Sequence, residues 1–296
     1  VHAEGDELAG LIVDMYGQVA VVQLLTAGMK RRETDIFAHV ARVTSAKTIV
    51  EVASERMQRL EGFEAETSVV RGPDITRLTF LERGFELEVP LSIAQKTGYY
   101  FDQRENRARV ESLSKGLGLA AGVPVVDLYS GVGGFALAAA RGGAKSVLAV
   151  DSSAPAIATG ATLAARHGFG DLIDFSKADV KRTLPDLKQK GERFDMVIVD
   201  PPKLAPTSRH LESGRKAYRR LNAAALRVVE DGGLLVSCSC SGAVKSGGFL
   251  RTIGLAAKDA RRRVTLIYTG QQGPDHPTPA AFPEGRYLKC AILRVD

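Results

Sequence analysis

Apolar positions follow two rhythms along the chain, and the change from one to the other near residue 95 divides it in two. In the first part, short apolar runs are separated by glycine-containing turns. Leu11-Ile12-Val13-Asp14-Met15 and Val19-Ala20-Val21-Val22-Gln23-Leu24-Leu25 flank Tyr16-Gly17-Gln18 and predict a β-hairpin over residues 8–25. Ile36, Val40 and Val43 fall at helical spacing and predict an amphipathic helix over 30–43. Thr48–Val52, Arg77–Glu82 and Phe85–Val89 read as strands, the last two around an Arg83-Gly84 turn. This is the pattern of a small α+β domain over residues 1–95. It carries no catalytic cluster, so it is expected to serve as a platform for substrate or for the next domain.

From residue 125 the rhythm alternates strand and helix. Val125–Asp127, Ser146–Val150, Ile173–Phe175, Phe194–Val199, Leu234–Cys240, Val264–Tyr268 and Tyr287–Leu293 are the expected strands. Helices are expected up to Gly142-Gly143 and over about 154–167. Such alternation predicts an α/β, doubly wound, mostly parallel sheet of seven strands in a domain covering residues 96–296.

The chemistry lies at the carboxyl ends of these strands, where open α/β sheets bind ligands. The first strand ends in Asp127, and Leu128-Tyr129-Ser130-Gly131-Val132-Gly133-Gly134 follows before a helix-forming run. The turn lacks the Gly-Lys-Ser/Thr ending of a triphosphate loop, and its glycines do not fit the G-x-G-x-x-G frame of dinucleotide folds. An acid before the turn suits a cationic, phosphate-free ligand such as S-adenosylmethionine, which bears an α-ammonium and a sulfonium. Asp151, ending the second strand, is placed for ribose hydroxyls, and Asp179, after the third, for an adenine amino group. Any one of these acids is an ordinary turn residue; three at successive strand ends point to a cofactor site.

Composition narrows the partners. The 296-residue chain is 45% hydrophobic and carries a formal net charge of +6, which suits an anionic partner without requiring one. Its three cysteines have neither disulfide nor metal-ligand spacing, so a reducing cytoplasm and no bound metal are expected. No apolar run reaches the ~18 residues of a spanning helix, so no membrane is expected. The chain begins at Val1 without Met, from which a preceding segment is expected.

Several stretches together resemble one family. Lys96-Thr97-Gly98-Tyr99-Tyr100-Phe101-Asp102-Gln103-Arg104, Asp200-Pro201-Pro202-Lys203, Ser239-Cys240-Ser241-Gly242, Asp275-His276-Pro277 and Pro283-Glu284-Gly285-Arg286-Tyr287-Leu288-Lys289 are similar to the large-subunit rRNA 5-methylcytosine methyltransferases. These are class I S-adenosylmethionine-dependent enzymes with a Rossmann-like catalytic domain. The family carries an RNA-binding PUA domain and then an α+β central domain; residues 1–95 look like the latter, and the PUA domain has no counterpart here. One departure matters. The family often has Phe-Ser-Tyr-Thr-Gly-Gly-Phe in its first motif, whereas Tyr129–Phe135 here is closer to the 5-methyluridine methyltransferases. That leaves uridine C5, or guanine, as alternative targets.

The resemblance implies methyl transfer to C5 of a cytosine in large-subunit rRNA. C5 of a pyrimidine is a weak nucleophile until a thiolate adds at C6, so a cysteine is required. Cys240 is expected to do this, because it is nearer the carboxyl end than Cys238 and alone matches the Ser-Cys-Ser-Gly register; Cys238 and Cys290 read as buried apolar residues. In a continuous strand Cys238 and Cys240 would share a face. Asp200 is expected to steady the base. The expected cofactor contacts are Tyr99, Phe101, Gln103, Arg104, Asp127, Tyr129, Ser130, Gly131, Gly133, Asp151, Ser152, Asp179, Val180, Asp200 and Pro201. Lys203 stands where amino-group methyltransferases carry an aromatic, which favours a carbon target. Lys203, Arg215 and Arg219 are expected on the RNA, in a basic cluster beside the site. The rival classes are a non-catalytic RNA-binding assembly protein and a small-molecule methyltransferase, and a homodimer is left open.

Overall fold

The computed structural model describes residues 1–93, 97–116 and 124–296. The expected domain boundary at 95/96, and Lys96 of the aromatic motif, lie outside the described residues. Two compact units emerge. The first is Val1–Phe101 with Gly273–Gly285, and the second is Asp102–Gln272 with Arg286–Asp296. The first therefore takes in a segment from late in the chain, including Asp275-His276-Pro277, that sequence alone assigns to the second.

In the first unit β1 (Leu11–Tyr16) and β2 (Val19–Leu24) form the expected hairpin, with Tyr16 opposite Val19. A short α1 (Ala27–Lys30) and α2 (Glu33–Thr44) lead to β3 (Thr48–Glu51), which runs parallel to β2. Val13, Ala20, Val22, Ile49 and Val40 form the core beneath α2. Two elements are additions to the expected pattern: α3 (Glu55–Glu61) and β4 (Ser68–Arg71), which pairs antiparallel with β3 at the edge of a four-stranded sheet. The hairpin of β5 (Arg77–Glu82) and β6 (Phe85–Pro90) alternates strictly, burying Leu78, Phe80, Leu87 and Val89 on one face.

The second unit opens with α4 (Arg104–Gly116) and then alternates β7 (Pro124–Leu128), α5 (Gly134–Arg141), β8 (Ser146–Asp151), α6 (Ala154–Arg166), β9 (Ile173–Lys177), α7 (Val180–Gln189), β10 (Phe194–Val199), α8 (Leu211–Leu226), β11 (Val229–Ser239), α9 (Ser246–Ala260), β12 (Val264–Gly270) and β13 (Lys289–Val295). The strand order is β12-β13-β11-β10-β7-β8-β9. All neighbours are parallel except β13, which runs antiparallel to both β11 and β12. This is the expected Rossmann-like α/β architecture. The order reverses direction between β7 and β10, which makes a crevice at their carboxyl ends.

The central strands are buried on both faces, as a helix-covered parallel sheet requires. Val125, Val126 and Leu128 of β7 and Met196–Val199 of β10 have no exposed surface. Leu226, Phe249, Ile253 and Ala256 of α8 and α9 close one side of this core. β11 begins five residues earlier than its apolar run suggests. Phe194 pairs with Val229 but Met196 pairs with Leu234, so the Asp231-Gly232-Gly233 turn bulges out within the strand instead of preceding it.

Gly160 shows why a helix interior tolerates its poorest former. A Cβ there would drive into the ring of Phe175 on β9, which also lies 2.7 Å from a would-be Cβ on Gly133. Gly160→Ala is expected to destabilise the protein by about 1–3 kcal/mol through overpacking. In a Phe175→Leu background the same change should be neutral or stabilising, since alanine is the better helix former. Denaturant unfolding of the two single variants and the double variant tests this; additive effects would refute the packing account.

Candidate functional site

Asp127, the fourth residue of β7, is almost completely buried. Its Oδ2 accepts from the Ala136 N–H at 3.0 Å in the first turn of α5, and its Oδ1 is buried with no partner. Burial, then the nearby Asp200 and Asp151 charges, push its carboxyl up to about 8, against the opposing pull of the Ala136 N–H and Arg107.

The chain turns sharply after β7. Tyr129 sits at φ 65, in the left-handed region that costs a bulky residue energy, followed by Gly131 at φ 55 and Gly133 at φ 84. Gly131 would place a Cβ in open space, so its conformation is what glycine supplies, and the space beside it is left for a ligand. Asp151 holds this turn. Its Oδ2 accepts from the Gly131 N–H at 2.9 Å and its Oδ1 from the Ser153 N–H at 2.8 Å. The hydroxyl of Ser130 is buried without a partner. Burial, then Asp179 and Asp151, push the Tyr129 phenol up to about 12. The acids at the ends of β7, β8 and β10, with Asp179 after β9, thus act on one small region.

Asp179 is exposed and caps α7, accepting from the Lys181 N–H at 2.9 Å. Ser152 is exposed beside Asp151. The Val180 side chain lies in the core, which leaves its backbone N–H, at the first helical position, as its free group for a ligand. Tyr99 and Phe101 belong to the first unit. There they pack with Tyr16 and Phe80 at ring separations of 4.9–5.5 Å, and the Tyr99 N–H donates to the Tyr16 hydroxyl. Gln103 and Arg104 belong to the second unit, with Asp127 and the glycine turn.

Gln103 leads to Asp200. Its Nε2 donates to Asp200 Oδ2 at 3.0 Å, while the fully buried Asn106 donates to Gln103 Oε1 at 2.6 Å. This amide relay, joined to the Gln271 carbonyl through Asn106, orients the carboxylate that opens the Asp200-Pro201-Pro202 turn. Asn106 is not among the residues expected from sequence; its position three residues after Gln103, at helical spacing, is the available signal. Pro201 is buried and Lys203 exposed.

β11 ends at Ser239, so Cys240 lies just past the strand and does not continue the face of Cys238. Cys238 is fully buried and pairs in register with Cys290. The Cys290 thiol beside it and burial push its own thiol well above the usual range, so it stays protonated. Cys240 is half-buried. The residues on either side of it are pinned: Ser239 Oγ donates to the Tyr218 hydroxyl at 2.9 Å, and Ser241 Oγ lies 3.0 Å from the same hydroxyl and accepts from the Ala205 N–H at 3.0 Å. The buried Tyr218 therefore ties the loop after β10 to the turn that carries Cys240.

A groove of about 560 Å³ runs between α8 and α9, lined by Glu212, Arg215, Lys216, Arg219, Gly248 and Arg251 among others. Arg219 is already engaged in a bidentate pair with Asp259, both bonds 2.6 Å. Arg215 is different. Its Nε is buried without a partner, and its guanidinium lies against Gly248 in the first turn of α9, which has no side-chain cap. A cation beside the positive end of a helix is unfavourable until an anion joins them. Among the described residues no cluster of His, Cys, Asp and Glu could hold a metal ion, and no helix is long and apolar enough to cross a membrane.

The residues around Asp127 fit a small ligand with a positive charge and hydroxyls. The unpartnered Asp127 Oδ1 and Ser130 Oγ, the open face of Gly131 and the free lone pairs of Asp151 all await donors. Comparison with known proteins agrees. A Streptococcus mutans protein described as S-adenosylmethionine-dependent shares the fold at TM-score 0.84 and 21% identity, over 99% of this chain and 73% of that one. A methyltransferase solved with S-adenosylhomocysteine superposes at 0.82 with 20% identity, over 99% and 74%. The tRNA m1G37 methyltransferase of Methanocaldococcus jannaschii follows at 0.65 and 18% identity, over 99% and 75%. In sequence, "ribosomal RNA large subunit methyltransferase I" of Alteromonas mediterranea is 34% identical over all of this chain and 73% of its own length. The protein of that name from Pseudoalteromonas translucida is also 34% identical, over 99% and 73%. Residues 63–277 match the family profile described as S-adenosylmethionine-dependent methyltransferase, and the chain belongs to this family.

Proposed function

We propose that this methyltransferase acts on large-subunit rRNA and methylates C5 of a cytosine through a covalent adduct with Cys240. The rRNA assignment is supported by the named relatives at 34% identity across the whole chain. The carbon target and the covalent route are supported by one observation above others: a half-buried cysteine held between two anchored serines, on the sheet edge that also carries Asp200. The fold itself is neutral on the base, since the same architecture serves a tRNA guanine methyltransferase.

In this reading Asp127, Ser130, Gly131 and Asp151 hold the cofactor, with Asp179 and the Val180 N–H at its adenine end. S-adenosylmethionine supplies an electrophilic methyl group on a sulfonium. Asp127 offers its free Oδ1 to the positive end of the ligand, and Asp151 offers lone pairs to the ribose hydroxyls. A target base turned out of its stack reaches the turn after β11. The Cys240 thiolate adds to C6, which places electron density on C5 and lets that carbon accept the methyl group. Loss of the C5 proton then expels the thiolate and restores the aromatic ring. Asp200, fixed by Gln103, faces N3 and N4; in its protonated form it donates to N3 and so stabilises the negative charge that thiolate addition places on the ring. Arg215, Arg251 and the α9 N-terminus hold an RNA phosphate in the groove beside the site.

Cys240→Ala is expected to lower methyl transfer to unmodified rRNA by at least about a thousandfold, while Cys238→Ala keeps it within a few-fold. Mass spectrometry of the digested product should give 5-methylcytidine; 5-methyluridine or a methylguanosine would reject the base assignment, and an active Cys240→Ala would reject the covalent route.

The raised carboxyl of Asp127 sets a pH signature. Its folded value of about 8 exceeds the unfolded one, so the folded state binds the extra proton between about pH 4 and 8. The ligand-free protein should therefore lose stability as pH rises through that window, and Asp127→Asn should remove the slope. S-adenosylmethionine should bind with proton release at pH 7, read by calorimetry in buffers of different ionisation enthalpy. An unchanged pH slope in Asp127→Asn would show that another group is responsible.

Replacing both Arg215 and Arg251 with Glu should weaken RNA binding. The slope of log affinity against log salt should fall by about 1 for each phosphate that is no longer neutralised. An unchanged slope would place the RNA path elsewhere.

A further inference from the structure

We propose that Lys289 is a positioning residue that keeps Cys240 as a thiolate: its buried ammonium, hung between two backbone carbonyls around the Cys240 turn, is the fixed positive charge the nucleophile needs. The inference rests on the covalent reading above.

Lys289 is the only buried lysine among the described residues. It opens β13, which pairs antiparallel with β11 so that Lys289 stands opposite Ser239, the residue before Cys240. From there the side chain reaches the residue after Cys240. Nζ donates to the Ser241 carbonyl at 2.7 Å and to the Tyr287 carbonyl at 2.7 Å. The ammonium is thus anchored to the residue after the cysteine and to its own segment, and one of its three N–H donors remains.

A buried ammonium ordinarily has a carboxylate partner, because leaving water costs it several kcal/mol. Lys289 has none among the described residues; its bonded partners are neutral carbonyls. Its surroundings are also cationic, with Lys203 from the loop after β10 and Lys245 before α9 both acting against its charge. Burial, the larger effect, brings it down to about 8, and Cys240 is the one group that supports its positive form. Such support is mutual. The charge that Cys240 favours on Lys289 favours in turn the negative charge on Cys240, and Lys203 and Lys245 act in the same direction on the thiol. Other groups near this turn are the Tyr218 hydroxyl from α8, which is neutral, and Asp200 after the neighbouring strand, whose negative charge acts on Cys238 and pulls the other way. A lysine at this position is otherwise hard to explain, since an apolar residue would fill a buried strand position without the desolvation cost.

The test is the rate of Cys240 alkylation by iodoacetamide between pH 5 and 10, followed by mass spectrometry of the Cys240 peptide in the full chain, without RNA or cofactor. The wild type should titrate at least about one unit below the usual free-thiol value of about 8.5. Lys289→Met should move that midpoint upward and cut alkylation at pH 7 about tenfold, and Lys289→Arg, which keeps the charge, should restore most of the rate. Lys203→Met and Lys245→Met, at exposed positions, should each give a smaller shift in the same direction. A wild-type midpoint at or above about 8.5 overturns the proposal without recourse to any variant, as does a folded Lys289→Met protein with the wild-type profile. Because no methyl transfer is measured, failure here is distinct from failure of the covalent route, which the activity of Cys240→Ala decides.

Discussion

A carboxylate with no water around it is the condition on which the second unit depends. Parallel strands covered on both faces leave no polar surface except at their ends, and Asp127, Asp151 and Asp200 stand along one such edge. Asp127 is the extreme case, with one oxygen on a backbone N–H and the other unpartnered. Asp200 and Asp151 add their charges to its burial, so the edge is stable with a proton it would otherwise lose near pH 4. A cation arriving at this point takes the place of that proton. In the proposed cofactor site, selectivity for a positively charged donor would follow from these electrostatics before any shape complementarity is considered.

Cys240, the proposed nucleophile, is handled by the opposite device. Where Asp127 is left with unmet capacity, the turn that bears Cys240 is over-determined by bonds from α8, from the loop after β10 and from β13. Cys238, two residues earlier, has the same chemistry and none of the access. The difference between them is produced by where β11 stops and by the Cys290 thiol across the ladder.

Much of this is legible in the sequence because the signals are local. A β-branched run ending in an acid names both a strand and a site residue, and it does so at Asp127, Asp151 and Asp200. The preference for Cys240 over Cys238 likewise comes from position along one strand. The features that sequence does not announce are either too polar or too distant. β4 lies at a sheet edge with three of its four residues exposed, so it shows no alternation to detect. The relay from Asn106 through Gln103 to Asp200 joins residues nearly a hundred positions apart. Residues 273–285 join the first unit through long-range packing that no local pattern announces. Lys289, in an otherwise apolar strand, has the look of a solvated end and is buried instead.

The antiparallel strand β13 follows all its sheet partners in the sequence, yet it lies inside the sheet, between β11 and β12. The edge of β11 on this side is paired by a strand that follows it by about fifty residues, a long-range contact that forms more slowly than the local ones. That same pairing brings the carbonyl-bound ammonium of Lys289 to the flank of the Cys240 turn. A strand inserted between two partners that precede it makes the geometry of the Cys240 turn depend on a pairing between segments far apart in sequence, Ser239 opposite Lys289.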